Sequence, residues 1–273
     1  MRTCRYWIER FQEDFYQRGR SQTTWTTDYW KVLKLLPPEE PLTAALLHQI
    51  VVSTSPNTKS RRRACMVTKQ IAKFARVKYD PTPYQGNYSP KRPKPRDIPS
   101  DALIINYWRS LDNPGWRFIL GLIATYGLRP HEAFLVDYER LSSGDRVLWV
   151  LKGKTGERRV WAFHPEWYEQ FNLANPILPA VNLNRRNDQI GHSATRHFWE
   201  IGCPFRLYDL RHAWAIRTLE YGLEDALAAK QMGHSVEVHN DIYQQWIDGH
   251  IHQRAYERLL NRADRPQPPS LET

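Results

Sequence analysis

Leu207-Tyr-Asp-Leu-Arg-His-Ala213, running into Trp214, Ile216, Leu219 and Leu223, is the stretch on which the fold turns. Its spacing predicts a helix that opens near Tyr208 and turns an apolar side inward, with Tyr208 and Arg211, three residues apart, facing the same way. Downstream, Gln231-Met-Gly-His-Ser235 is followed, nine residues after His234, by Tyr243 in Asn240-Asp-Ile-Tyr-Gln244. Upstream, Thr125-Tyr-Gly-Leu-Arg-Pro-His-Glu-Ala133 predicts one helix stopping at Gly127 and a second starting at Pro130, with Arg129 at the junction and its guanidinium facing a groove. Between these segments, residues 147–151 and 158–163 read as two strands joined by a turn holding Lys152, Gly153, Lys154, Thr155 and Gly156. Further helices are expected near 101–111 and 116–126. Any one of these pieces is ordinary, since surface arginines and turn lysines are common; their order and spacing together are specific.

Ahead of this region, apolar residues recur at helical spacing from Arg5 to about Lys78: Trp7, Phe11 and Phe15, then Trp30, Leu33 and Leu36, then Leu46, Leu47 and Ile50. Four helices are expected. The last opens after Ser55-Pro56-Asn57 and turns Cys65, Ile71 and Phe74 inward. Its other side carries Lys59, Arg61, Arg62, Arg63, Lys69, Lys73, Arg76 and Lys78 with almost no acids, a composition suited to tracking phosphates. Residues 79–100 are rich in proline and include Lys91, Arg92, Lys94 and Arg96, which predicts an extended basic linker. The expected organisation is therefore a helical, basic N-terminal domain over 1–78 suited to binding DNA, the linker over 79–100, a second domain over 101–262 that holds the spaced motifs, and a disordered tail over 263–273.

The formal net charge of +10 over 273 residues makes a polyanion the first partner to consider. Cys4, Cys65 and Cys203 have no paired spacing, which argues against a disulfide framework or a zinc knuckle. His250-x-His252 has no third ligand nearby, so neither a metal nor a cofactor is expected. The basic, aromatic N-terminus has no signal-peptide core, and no run of about 18 apolar residues occurs, so a cytoplasmic protein without a membrane partner is expected.

Taken in order, Gly-Leu-Arg-x-x-Glu at 127–132, Leu-Arg-His at 210–212, Gly-His-Ser at 233–235 and a tyrosine nine residues past that histidine resemble the tyrosine recombinase, or phage integrase, family over most of 101–260. The resemblance implies a mainly α fold: an N-terminal all-α core-binding domain plus a C-terminal α+β catalytic domain with a small antiparallel sheet, closed as a C-shaped clamp around duplex DNA. It implies a site-specific recombinase that cuts and rejoins strands through a 3′-phosphotyrosine, without metal or ATP. Residue by residue, it makes Arg129 and Arg211 the catalytic arginines, Lys154 the lysine of the hairpin, His234 the histidine after the glycine and Tyr243 the nucleophile. Glu132 becomes the acid supporting Arg129, and His212 receives a structural role. Where most members carry histidine three residues before the second arginine, this chain has Tyr208, as in a minority group that includes cyanobacterial DNA-excision recombinases. A phenol with an ordinary pKa of about 10 is a poor base at neutral pH but still donates a hydrogen bond to a phosphate oxygen.

The chemistry suits these residue types. In-line attack on a phosphodiester builds negative charge on the non-bridging oxygens, and two planar guanidinium forks neutralise it without changing protonation state. A lysine on a hairpin supplies the proton that the leaving 5′ oxygen needs. A phenol ester keeps the bond energy, so a free 5′ end reverses the reaction. The partners implied are double-stranded DNA, three further copies in a homotetramer on paired sites and an accessory directionality factor, in a bacterial or phage setting. A helix after Tyr243, with Ile247, Ile251, Tyr256, Leu259 and Leu260, is expected to dock on a neighbouring protomer. Residues 1–78 leave no space for a long N-terminal arm, so a minimal recombinase is expected. Two other readings stay open: a catalytically inactive DNA-binding regulator with this fold, and a type IB topoisomerase that relaxes supercoils.

Overall fold

The computed structural model describes residues 2–89, 98–153, 156–243, 249–263 and 267. The chain divides into two compact units, Met1–Pro93 and Lys94–Thr273.

In the first unit the apolar periodicity produces the expected helices. Helix α1 (Cys4–Gln17) is capped by Thr3, whose hydroxyl accepts from Tyr6 N, and it buries Cys4, Ile8, Phe11 and Phe15. The short α2 (Gln22–Thr24) and α3 (Trp30–Leu33) are continuous through a π-helical turn, Trp25–Tyr29, whose two end rings stack at 5.8 Å. Helices α4 (Ala44–Val52) and α5 (Lys59–Phe74) complete the unit around a core in which Phe15 meets Trp25 and Tyr29 edge on face and Phe11 meets the same two rings at a tilt. Helix α5 is capped by Thr58, one residue after the expected Ser55-Pro56-Asn57, because Asn57 sits in the left-handed region at φ 56° and cannot begin the helix itself.

Two basic-surface expectations need correction here. Arg61 is buried: its Nε donates to Thr54 Oγ1 at 2.9 Å, Nη1 to the Tyr84 carbonyl at 3.1 Å and Nη2 to the Thr54 carbonyl, so it ties loops together and faces no ligand. Arg63 is half-buried, with Nε on Asp28 Oδ1 at 3.0 Å. Lys59, Arg62, Lys69 and Lys73 remain exposed, Lys69 bonded to Thr82 Oγ1. The start of the expected linker also folds back on this unit: Tyr79 packs on the core, Tyr84 meets the His48 ring, and Asn87 N donates to Asn57 Oδ1. Lys91, Arg92, Lys94 and Arg96 lie outside the described residues.

In the second unit, α6 (Asp101–Ser110) leads to α7 (Pro114–Tyr126). Helix α7 starts on an Asn113 cap with proline at its first position and is buried nearly all round; Gly127, at φ 59°, ends it. No α-helix follows at Pro130. The chain makes a turn and a 3₁₀ turn, Glu132–Phe134, then bridges at once to the sheet through Val136 and Val150, which leaves no length for a helix. After the short α8 (Tyr138–Ser142), strands β1 (Val147–Gly153) and β2 (Gly156–Trp161) form an antiparallel pair from Val147 opposite Trp161 to Gly153 opposite Gly156. Helices α9 (Trp167–Gln170) and α10 (Asn187–Glu200) follow. Helix α11 (Asp209–Glu220) packs on α7 and is buried on most sides, where an amphipathic helix was expected. Helix α12 (Asp225–Met232) ends at left-handed Gly233, and α13 (Val236–Tyr243) and α14 (Gly249–Leu260) close the chain. Tyr256, Leu259 and Leu260 of α14 are exposed, while Ile247, the Ile251 side chain and all of the expected tail except Gln267 beyond residue 263 lie outside the described residues. No described helix is long and apolar enough to cross a membrane.

Candidate active site

The left-handed turns at Gly127 and Gly233 each close a helix, and each presents main-chain carbonyls to an arginine. Arg211, on the first turn of α11, is 2% exposed and donates from Nη1 to the Gly127 carbonyl at 2.7 Å and from Nη2 to the Met232 carbonyl. Arg129, just past Gly127, donates from Nη2 to the Gly233 carbonyl at 2.9 Å. Its Nη1 reaches Glu132 Oε1 at 2.7 Å and its backbone N reaches Oε2 at 2.8 Å. The two arginines, read as separate from a sequence in which they stand 82 positions apart, are thus held by one shared framework of carbonyls. A side chain at Gly127 would collide with Trp214 at 2.6 Å, so this turn admits only glycine.

Glu132 is fully buried and serves a second cation that sequence reasoning missed. Arg158, on β2, donates from Nη1 to Glu132 Oε1 at 2.9 Å, from Nη2 to Oε2 at 2.6 Å and from Nε to the Gln231 carbonyl at 2.7 Å. Burial alone would raise the Glu132 carboxyl, but the hydrogen bonds and charge of Arg158, with the charges of Arg129 and Arg211, hold it at about 2. The signal for Arg158 was present in the strand: it is two residues before buried Val160 and therefore on the same, inward face. Gly153 leaves room for it, since a Cβ there would stand 2.7 Å from Arg158 Nη1.

Among the described residues, three imidazole rings border the expected nucleophile. Tyr243, the last residue of α13, is 3% exposed, and its Oη lies 3.2 Å from His212 Nδ1 on α11. The His239 ring, one helical turn before Tyr243, lies against it at 4.6 Å, and the His234 ring stands at 6.2 Å. His239 Nδ1 is 3.5 Å from His234 Nε2. Burial, followed by the positive charge of Arg211, pushes His234 down to about 3, so it is a neutral imidazole at physiological pH. Burial also lowers His239 and raises the Tyr243 phenol, the latter against the pull of Arg211. His239 is fully buried against the phenol.

Tyr208 and Arg211 do not face the same way. Tyr208 stands at the cap position of α11, 39% exposed, with its ring edge-on to His212 at 5.3 Å, while Arg211 turns inward. Arg129 is likewise enclosed by Glu132 and Gly233 and does not stand free in a groove. Lys154 lies outside the described residues, and the paired Gly153 and Gly156 bracket it. Arg158 and His234 border an open cleft of about 1200 Å³ that is also lined by Trp149, Trp161 and Gln231. Two guanidinium forks, a neutral imidazole and a phenol are groups that can bind a tetrahedral anion and attack it, and of these His234 lines the cleft.

Residues 5–85 match the XisA/XisC excisase second domain family. The chain is 28% identical over 293 residues to Excisase C of Nostoc sp. (strain PCC 7120), covering 93% of this chain and 57% of that protein. It is 32% identical over 162 residues to Excisase A of the same organism, covering 54% of this chain and 34% of that protein. It thus spans between one third and three fifths of the length of these relatives. In fold, it is similar to lambda integrase in a tetramer bound to a Holliday junction, with a TM-score of 0.59 at 16% identity over 86% of this chain and 78% of the other. It is also similar to the Tn1549 transposon integrase bound to transposon right end DNA, with a TM-score of 0.58 at 13% identity over 95% and 100%. The ordered motif, the helical fold with its small sheet and the excisase relatives point the same way: the chain is similar to the tyrosine recombinases in its motifs and in its fold.

Proposed function

We propose that this protein is a site-specific recombinase that excises DNA by cutting and rejoining duplex strands through a 3′-phosphotyrosine at Tyr243. The observation that carries the reading is the convergence of Arg129, Arg211, His234 and Tyr243, from four separated segments, at the two glycine turns. Arg129 and Arg211 bind the non-bridging oxygens, neutral His234 donates a further hydrogen bond, and Lys154 protonates the leaving 5′ oxygen. Glu132 and Arg158 keep the first arginine in place. The first unit, with residues 79–100 and the exposed Lys59, Arg62, Lys69 and Lys73, tracks the DNA backbone, and four copies act together on paired sites in a bacterial cytoplasm.

The test uses nicked suicide duplexes carrying sequences from the genomic neighbourhood of the coding gene. Wild-type protein is expected to give a denaturant-resistant protein–DNA band that Tyr243→Phe does not. Specific binding of a duplex with no band from either protein would replace this reading with that of a DNA-binding regulator.

A further inference from the structure

In this chain the position three residues before the second arginine holds a phenol, Tyr208, which cannot take a proton from another phenol at neutral pH. The nucleophile nevertheless needs an acceptor, because Tyr243 is buried and its own ionisation is disfavoured there. We infer that His212 is the general base of the cleavage step, its Nδ1 taking the phenol proton of Tyr243 across the 3.2 Å contact between them. The inference rests on the recombinase reading above.

Three features prepare His212 for this role. Its ring is buried on the first turn of α11, next to Arg211, so acceptor and phosphate-binding fork are set by one backbone. Tyr208 meets it edge-on and limits its rotation, which gives that unusual tyrosine a positioning role. On the other side of the phenol, the His239 ring holds Tyr243 in place. Among the described residues, the ionisable and charged groups around the pair are Tyr208, His234, His239, Arg129 and Arg211, and both arginines favour the phenolate that forms.

The step balances without an added reactant. The Tyr243 O–H bond breaks and its proton passes to His212 Nδ1; the phenolate oxygen bonds to phosphorus as the bond from phosphorus to the 5′ oxygen breaks; the departing oxygen takes its proton from the separate general acid. In rejoining, the 5′ hydroxyl returns its proton to the general acid that had given one up as its oxygen bonds to phosphorus, and the bond from phosphorus to the Tyr243 oxygen breaks as protonated His212 returns its proton to the leaving phenol.

The experiment measures single-turnover adduct formation with the full chain on a suicide duplex. His212→Asn keeps a short acceptor but cannot hold the proton, and is expected to slow cleavage by about 10²–10⁴-fold with DNA binding unchanged. A more acidic fluorinated tyrosine at position 243 is expected to restore about tenfold or more of that loss, because less proton transfer is then required. Cleavage by H212N at the wild-type rate, or a loss that the fluorinated tyrosine leaves untouched, would overturn the assignment. A variant too unstable to bind DNA leaves a second route: in otherwise unaltered protein carrying the fluorinated tyrosine, the acid limb of the rate profile should stay where it was. A limb that moves down with the acidity of the phenol would count against His212. Wild type with no Tyr243-dependent adduct at all is a separate result, which removes the recombinase reading and not this one alone.

Discussion

At the scale of single residues, Glu132 is the most exacting. It is fully buried between Arg129 and Arg158, and Glu132→Gln leaves two buried guanidiniums short of a counter-charge, with an expected cost of about 3–5 kcal/mol at neutral pH. Its carboxyl is held at about 2 against an ordinary 4.5, so its contribution, about 3 kcal/mol, is complete above pH 4.5 and lost as the pH falls toward 2. Urea unfolding at pH 7 and pH 3 should therefore show a large gap between wild type and E132Q that narrows in acid; an equal gap at both would refute the assignment. The resemblance named Arg129, Arg211, His234 and Tyr243 as candidates, and the fold brings their four segments together. Arg158 was not legible in the sequence, since a strand arginine announces its direction only through the alternation of its neighbours, and the proximity of His212 to Tyr243 depends on how α11 and α13 pack, which no local pattern records.

At the scale of elements, the glycine turn after α7 can be tested against a turn that carries no such role. Gly127→Ala forces a Cβ to 2.6 Å from Trp214 and displaces the carbonyl that holds Arg211. Thermal melts should show a loss greater than the roughly 1 kcal/mol that a left-handed alanine costs by itself, accompanied by loss of the covalent adduct. Gly202→Ala, at φ 72° with nothing within 4 Å of the new Cβ, should show only the smaller loss with cleavage retained. Equal behaviour of the two variants would show that the turn does not organise the site. Helix and strand identity were readable from periodicity across both units. The helix expected at Pro130 was not formed because a β-bridge from Val136 to Val150 overrode local preference, and α11 hid its burial because charged Asp209, Arg211 and Arg217 occupy inward positions.

At the scale of the whole molecule, the net charge of +10 predicts DNA binding that weakens steeply with salt. Arg62→Ala and Lys73→Ala, both exposed on α5, should each reduce the slope of log affinity against log salt by about 1 if the side chain meets a phosphate. Arg61→Ala should instead lower the melting temperature of the first unit, because its donors are committed to Thr54 and Tyr84. Filter binding across a salt series, paired with thermal unfolding, separates the two classes; an unchanged slope for the α5 variants would move the DNA face elsewhere. Sequence could place this basic run on one helix, but one turn of rotation decides which members point inward, and for Arg61 that rotation was invisible.

The carbonyls of Gly127, Met232 and Gly233 that grip the two arginines belong to the ends of α7 and α12, so the forks exist as a pair only while those helices are docked. A copy in which α7 or α12 has come loose would lose the framework that sets both arginines. If the proposed cleavage is what these residues do, a damaged molecule would fall silent and would not become a stray nickase, a safeguard that comes from anchoring the two forks to main chain.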